Sequence, residues 1–427
     1  MVDNSHMDTL ISNWTWVFVG LVTLNLGLRG WLDTRQARHV QTHQRTVPPA
    51  FQSSISIDEH QKAAHYTIAK LRVGFVDLIW GLACLLAWTL LGGLHHLNQT
   101  LLHALGPGLL QGLALMASFA LIQTLLDLPL AWWRTFRTEA QFGFNRTTTG
   151  LWLVDLLKAG LMGALIMGPM ATVVLLIMDS STLWWLWVWA TWVAFSLLMM
   201  VIYPTWIAPI FNRFQALDDP ELAADVAQLM SQCGFQSQGI FVMDGSRRSA
   251  HANAYFTGLG RAKRVVFFDT LLQQLSREEV LAVLAHELGH FSRGHIPKRM
   301  IKMFASAAVA LAALAYLAEQ PWFYAGLGVL PQLDGSNSGL ALVLLSLTAP
   351  LLGLPLAPWT SGSSRSDEFE ADAYACQKTD ANALASALVK LYKDNATTLT
   401  PDPIYTRFFY SHPPALERLS HIRASAT

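Results

Sequence analysis

Five long stretches of this chain, Leu10 to Leu28, Leu78 to Leu94, Leu109 to Leu126, Ala159 to Met178 and Leu183 to Tyr203, contain no Asp, Glu, Lys or Arg. A hydrocarbon layer about 30 Å thick is crossed by about 20 apolar residues in a helix, so each stretch can span it or nearly so. Two further stretches fit less cleanly. Met303 to Ala318 is short but follows Lys298, Arg299 and Lys302, whose aliphatic stems can reach the interface; Leu340 to Leu356 is interrupted by Pro350 and Pro355. None of the seven keeps the polar stripe at a 3.6-residue period expected of core helices in a large soluble protein. The expected fold is mainly α, a polytopic membrane protein with about seven transmembrane helices.

Loop charge orients such a chain, because cytoplasmic loops collect Lys and Arg. The loop after the first stretch holds Arg35, Arg38, Arg45, Lys62, Lys70 and Arg72, and the loop after the third holds Arg134, Arg137 and Arg146. The segment before Leu10 and the loops His95 to Gly108, Asp179 to Thr182 and Glu319 to Gly339 hold no Lys or Arg. The N-terminus is therefore expected outside and the C-terminus in the cytosol, an arrangement that needs an odd number of spans. The first residues, MVDNSHM, carry neither a basic residue nor a small-residue cleavage site, so no signal peptide is expected there. With 29 basic against 29 acidic residues, no basic field points to a nucleic-acid partner. Cys84, Cys233 and Cys376 lie far apart with no C-x-x-C, which supports neither a disulfide framework nor a cysteine metal site.

The expected division is a membrane domain over 1–203, with five transmembrane helices and a cytosolic helical hairpin near 34–72 that breaks at Pro48 and Pro49. Residues 204–299 and 361–427 form two halves of one cytosolic α+β domain, separated by a transmembrane hairpin over 300–360. The first half reads as a helix from Pro220 to Cys233, strands in Gly239 to Asp244, Asn253 to Gly258 and Arg264 to Phe268, and a helix from Arg277 to Ser292.

That last helix carries A-H-E-L-G-H, with His286, Glu287 and His290. Residues four apart share a helix face, so both imidazoles can reach one zinc ion, with Glu287 placed as general base. A catalytic zinc takes a third protein ligand. The extended form of the motif fails, since Arg293 stands where Gly is needed and Ile296 where His is needed, and His295 is expected to be structural. S-R-S-D-E-F-E-A-D-A supplies carboxylates instead: Glu368 with Asp372 one turn on, and Asp367 and Glu370 on other faces as competing ligands. One of the Glu368/Asp372 pair can bind the metal while the other orients a histidine or passes a proton. His412 and Arg418 are candidate oxyanion donors. Asn253, in N-A-Y-F, could hold substrate backbone at an exposed strand edge. Asp77, Asp127, Asp155 and Lys158, at membrane edges, would be the mark of a transporter or scaffold; Asp155 and Lys158 are expected to pair at a helix end.

On these residues the chain resembles the type I CAAX prenyl protease family of integral-membrane zinc metalloendopeptidases. Besides H-E-L-G-H and S-R-x-x-E-F-x-A-D, the resemblance rests on R-Q-A-R-H-V with V-P-P-A-F, F-G-F-N-R-T-T, Y-P-T-W-I-A-P-I-F-N-R-F, N-A-Y-F and S-H-P-P-A-L-E-R-L, and covers nearly the whole chain. It implies one Zn²⁺ per chain on His286, His290 and Glu368, Glu287 as general base, and Asp372 supporting a ligand or donating a proton. It places Asn253, His412 and Arg418 around the substrate, and seven helices around a chamber beside a zincin-like protease domain. Implied substrates are membrane-associated peptides or proteins, prenylated near their C-terminus; a quality-control protease for unprenylated membrane proteins would use the same residues. Short loops and the lack of a C-terminal lysine retention signal point to a bacterial inner membrane, with the endoplasmic reticulum as the alternative for a eukaryotic source.

Overall fold

The computed structural model describes residues 4–258, 262–332 and 335–425. Among these, seven helices are long and apolar enough to cross a membrane: Ser5–His43, Ile57–Trp88, Leu109–Glu139, Thr149–Ser180, Trp184–Phe211, His295–Leu317 and Ser338–Lys378. The number agrees with the sequence reading; the lengths do not. Hydropathy marks only the part of a helix that lies in hydrocarbon, whereas backbone bonding carries a helix through polar residues until something stops it. The first helix runs on past Arg29 and Arg38 to His43, and the second starts at Ile57 behind a capping box of Ser56 and Glu59. The expected span Leu78 to Leu94 is corrected at its far end. The helix stops at Trp88, and Gly92, at φ 81°, starts a separate helix, Gly93–Leu105. Pro350 and Pro355 do not end the seventh span, because a 3-10 turn over Ala349–Leu352 takes up Pro350 and helix Gly353–Lys378 continues directly.

Leu157, Leu161 and Leu165, four apart on helix Thr149–Ser180, and Val309 on helix His295–Leu317 are between 65% and 74% exposed, apolar surface that suits contact with lipid tails rather than water. At one end of the molecule, Thr15 donates to the Gly326 carbonyl (2.8 Å), Leu330 N–H meets His95 Nδ1 (3.4 Å), and Asp179 accepts from Ser336 and Ser338 (2.7 Å each). These contacts gather the Lys- and Arg-free segments. At the other end the hydrophilic elements dock on the basic loops through Arg35 with Asp402 (2.9 Å), Lys393 with Glu59 (2.9 Å) and Arg248 with Asp155 (2.8 Å). The expected Asp155 to Lys158 pair does not form. Asp155 is taken by the bidentate guanidinium of Arg248, and Lys158 donates to the Ile210 carbonyl at 2.8 Å.

The docked part has a four-stranded sheet of β1 (Phe214–Ala216), β2 (Gln236–Met243), β3 (Ala254–Thr257) and β4 (Ala262–Phe268), in the order β1-β2-β4-β3. β1 is a strand the sequence reading lacked, and its pairing with β2 is antiparallel. β2 and β4 run parallel, and β3 is an antiparallel edge strand with Ala254 opposite Phe267. Helix Pro220–Gln232, capped by Asp219 with Pro220 in its first turn, buries Leu222, Val226, Leu229 and Met230 at helical spacing. They form one core with Val265 and Phe267 of β4, Val280, Leu284 and Leu288 of helix Arg277–Ser292, and Leu384 and Leu388 of helix Ala381–Asp394. Each such burial contributes about 1.5–3 kcal/mol, which fixes helix Arg277–Ser292 between sheet and helix.

Glu279 locks that helix at its start. Its side chain bonds back to the Ser276 N–H (2.7 Å), and it accepts from Lys390 and Ser386 of the neighbouring helix (2.7 Å each). Burial alone would raise its pKa, but the bonds from Lys390, Ser386 and the Ser276 backbone outweigh it and hold the carboxyl below its usual 4.5. Its stabilising contribution is therefore complete above that value and lost as pH falls through the lower folded-state pKa. Glu279→Gln is expected to cost about 1–2 kcal/mol at pH 7, seen as a lower thermal midpoint in detergent, with the deficit shrinking in acid. Equal midpoints for both proteins at pH 7 would remove this lock.

Candidate active site

Helix Arg277–Ser292 lies against helix Gly353–Lys378 at a close backbone approach. A Cβ on Gly289 would come within 3.0 Å of Ala371 Cα, so the glycine of H-E-L-G-H is what lets the two helices touch. This brings His286, His290 and Glu368 together, with one ligand atom from each within 4.8 Å of the others. His286 Nε2 is 3.4 Å from Glu368 Oε2, and His290 Nε2 is 3.3 Å from Glu368 Oε1.

Two ligands at about 2.0–2.1 Å from a tetrahedral zinc stand about 3.3–3.4 Å apart, so these separations suit one ion between them. Glu368 is 2% exposed, and its Oε2 is buried without a hydrogen-bond partner, a state that a cation relieves. Donor chemistry agrees, since two imidazoles and a carboxylate are a hydrolytic zinc set.

Each histidine is held by its other nitrogen. His286 Nδ1 lies 2.8 Å from Asp372 Oδ1, and that carboxylate is clamped by Arg418 through bonds of 2.8 and 2.6 Å. Burial lowers the His286 pKa, yet its bonds to Asp372 and Glu368 carry it up to about 9. His290 Nδ1 meets His295 Nδ1 at 2.9 Å, and His295 Nε2 meets Glu370 at 3.2 Å. With His295 donating to Glu370, its Nδ1 accepts from His290, which leaves the His290 Nε2 lone pair facing Glu368. His295, expected to be structural, bonds the His290 ring, a contact that no local sequence pattern announces. Of the competing carboxylates, Glu370 is 3.2 Å from His295 and Asp367 bonds Arg299.

A cleft of about 170 Å³ opens beside these groups, lined by Asn253, Glu287, His412, Arg418 and Asn395 among others. His412 Nε2 stands 3.4 Å from Glu368 Oε1. Arg418 is buried, with Nη2 at 3.4 Å from His286 Nδ1. Asn253 immediately precedes edge strand β3. All eight candidates therefore lie in or against one site; Asn395 is a cleft residue the sequence reading missed.

A membrane-spanning helical chain with such a site is a multi-pass zinc metalloendopeptidase. Residues 36–213 match the CAAX prenyl protease N-terminal region with five membrane helices, and residues 216–426 match peptidase family M48. CAAX prenyl protease 1 of Saccharomyces cerevisiae is 31% identical over 95% of this chain and 94% of the relative. The homologue of Arabidopsis thaliana is 31% identical over 95% and 96%, and that of Homo sapiens 28% over 92% of each. The crystal structure of S. mikatae Ste24p gives a TM-score of 0.89 at 29% identity, covering 96% of this chain and 99% of that one. The chain belongs to the CAAX prenyl protease 1 family of M48 peptidases.

Proposed function

We propose that the chain hydrolyses peptide bonds close to the C-terminus of prenylated CAAX proteins or peptides, with His286, His290 and Glu368 as zinc ligands and Glu287 as general base. The observation that carries this reading is where the site sits. His295 begins the sixth span and Glu368 lies on the continuation of the seventh, so the cleft is next to the membrane boundary, where a lipid-tethered peptide arrives. The names of the relatives support the prenylated substrate.

When bound, zinc supplies a Lewis acid that acidifies water and polarises the scissile carbonyl. Glu287 takes the proton of the attacking water and delivers it to the leaving amine. His412 and Arg418 donate to the oxygen on which charge develops, and Asp372 keeps the His286 ring in place. An extended substrate adds to the free edge of β3 at Asn253.

The catalytic domain is composed of 204–299 and 361–427, joined through the hairpin over 300–360 and set on the membrane domain over 1–203. The basic loops lie at the same end as the site, which supports a cytosolic C-terminus and an outer N-terminus. A bacterial inner membrane is the host favoured by the short loops. Helices Trp184–Phe211 and His295–Leu317 bury only 6% of their most apolar windows, which suits helices bordering an open chamber as well as lipid.

The test compares a farnesylated CAAX peptide with its unprenylated twin, using purified full-length protein in detergent. Release of the terminal tripeptide from the farnesylated peptide, at least tenfold faster than from the twin and abolished by chelator, is the expected result. Equal turnover of both moves the substrate to unprenylated membrane proteins. No cleavage of either by zinc-loaded protein overturns the reading.

A further inference from the structure

A chain of contacts runs from the membrane helices to the cleft and ends on a side chain with unused hydrogen-bonding capacity. Tyr66, buried on the second span, donates to the Glu139 carboxylate (2.7 and 2.9 Å). Glu139 stands 3.5 Å from His251 Nε2. The His251 ring stacks on Phe144 with centroids 4.4 Å apart and planes 18° apart, and its Nδ1 lies 2.8 Å from Asn395 Oδ1. Because Oδ1 can only accept, the ring nitrogen donates, and the Asn395 NH₂ is turned away from it. Among the described residues that NH₂ has no acceptor, although Asn395 lines the cleft with Asn253, Glu287 and His412.

The backbone beside it supports a fixed position. Ala396 has φ 45°, the one described non-glycine residue at positive φ, and it is buried against Ala63, Tyr66 and Phe144. A non-glycine residue keeps such a conformation only where its surroundings impose it, and such sites cluster at ligand clamps.

An extended peptide has hydrogen-bonding groups on both edges. One edge pairs with β3; the groups on the other need partners elsewhere in the cleft, whose lining includes Leu388, Leu391 and Asn395. In a cleft lined by Leu271, Leu384, Leu388 and Leu391 an unpaired carbonyl is costly, and Asn395 offers the donor it needs. Building on the peptidase reading above, we propose that Asn395 binds a backbone carbonyl of the substrate through its side-chain NH₂, and that His251 and Glu139 are positioning residues that fix the orientation of the amide.

The experiment measures kcat and KM of full-length, zinc-loaded variants on the farnesylated CAAX peptide and on unfolded casein. Asn395→Ala is expected to raise KM roughly tenfold on whichever substrate the native chain cleaves, with kcat changed much less. Asn395→Asp keeps the shape but removes the donor, and is expected to lose at least as much. His251→Gln and Glu139→Gln are expected to raise KM about threefold to tenfold alone and to have no added effect in the Asn395→Ala background. Zinc content and thermal midpoint of each variant are checked against the native chain. Activity within twofold for both Asn395 variants overturns the proposal, as does full additivity of His251→Gln with Asn395→Ala. Failure of the native chain on the farnesylated peptide alone tells against the prenyl substrate, while casein still tests Asn395.

Discussion

Glu287→Gln is expected to lower kcat by roughly a thousandfold while the protein keeps one zinc per chain. Glu287 is one residue after His286, a candidate zinc ligand, lines the cleft, and makes no hydrogen bond or ion pair to another described residue, so its carboxylate is free to accept a proton. Glutamine preserves size and polarity but takes no proton at neutral pH, so binding and metal content should be little changed. The measurement pairs single-turnover cleavage with zinc analysis of the same sample. Loss of zinc together with activity would show a structural role for Glu287, and retention of more than about a tenth of kcat would remove it as the base.

The second large effect is expected at Asp372, which touches no substrate in this scheme. Asp372→Asn weakens the hold on His286 Nδ1 and leaves the buried Arg418 guanidinium without its carboxylate, so zinc affinity should fall about 10–100-fold, with activity recovered in part by added zinc. The native chain should also load zinc more tightly as pH rises. His286, with its pKa near 9 in the metal-free state, must give up a proton to become a ligand. Apparent affinity is therefore expected to climb by up to about tenfold per pH unit on the acid side of that value and to level off above it. Competition with a chromogenic chelator across pH 6 to 10 checks both statements. A native profile that does not change with pH, or an Asp372→Asn affinity within twofold of native, would count against this role for the carboxylate.

Much of the site was legible because its chemistry uses local spacing. Helix Arg277–Ser292 has the bounds read from the sequence, since Ser276 and Glu279 form a capping box and the helix ends before Gly294, whose φ is 69°. Glu368 was readable as a ligand candidate by residue type and by a hairpin that returns the chain to the same side. What stayed hidden depends on contacts between distant segments. Nothing near Asp155 announces Arg248, 93 positions away. Nothing in H-F-S-R-G-H shows that His295 turns back to hold His290, or that Glu370 serves His295 rather than a metal. Strand β1 has only three residues, too few for an alternating pattern, and exists because β2 offers it an edge. Span ends failed for a different reason: water tolerates a helix as readily as lipid does, so polarity alone cannot end one.

The run of helix from Ser338 to Lys378 has one more consequence. The same rod that crosses the bilayer carries Glu368 at its far end, and the neighbouring rod begins at His295, the residue that steadies His290. Anchorage and metal cage are thus one object rather than a tail attached to an enzyme. A fragment cut free of its spans would lose the struts that set the spacing of these side chains, so the membrane helices are a mechanical part of the catalyst.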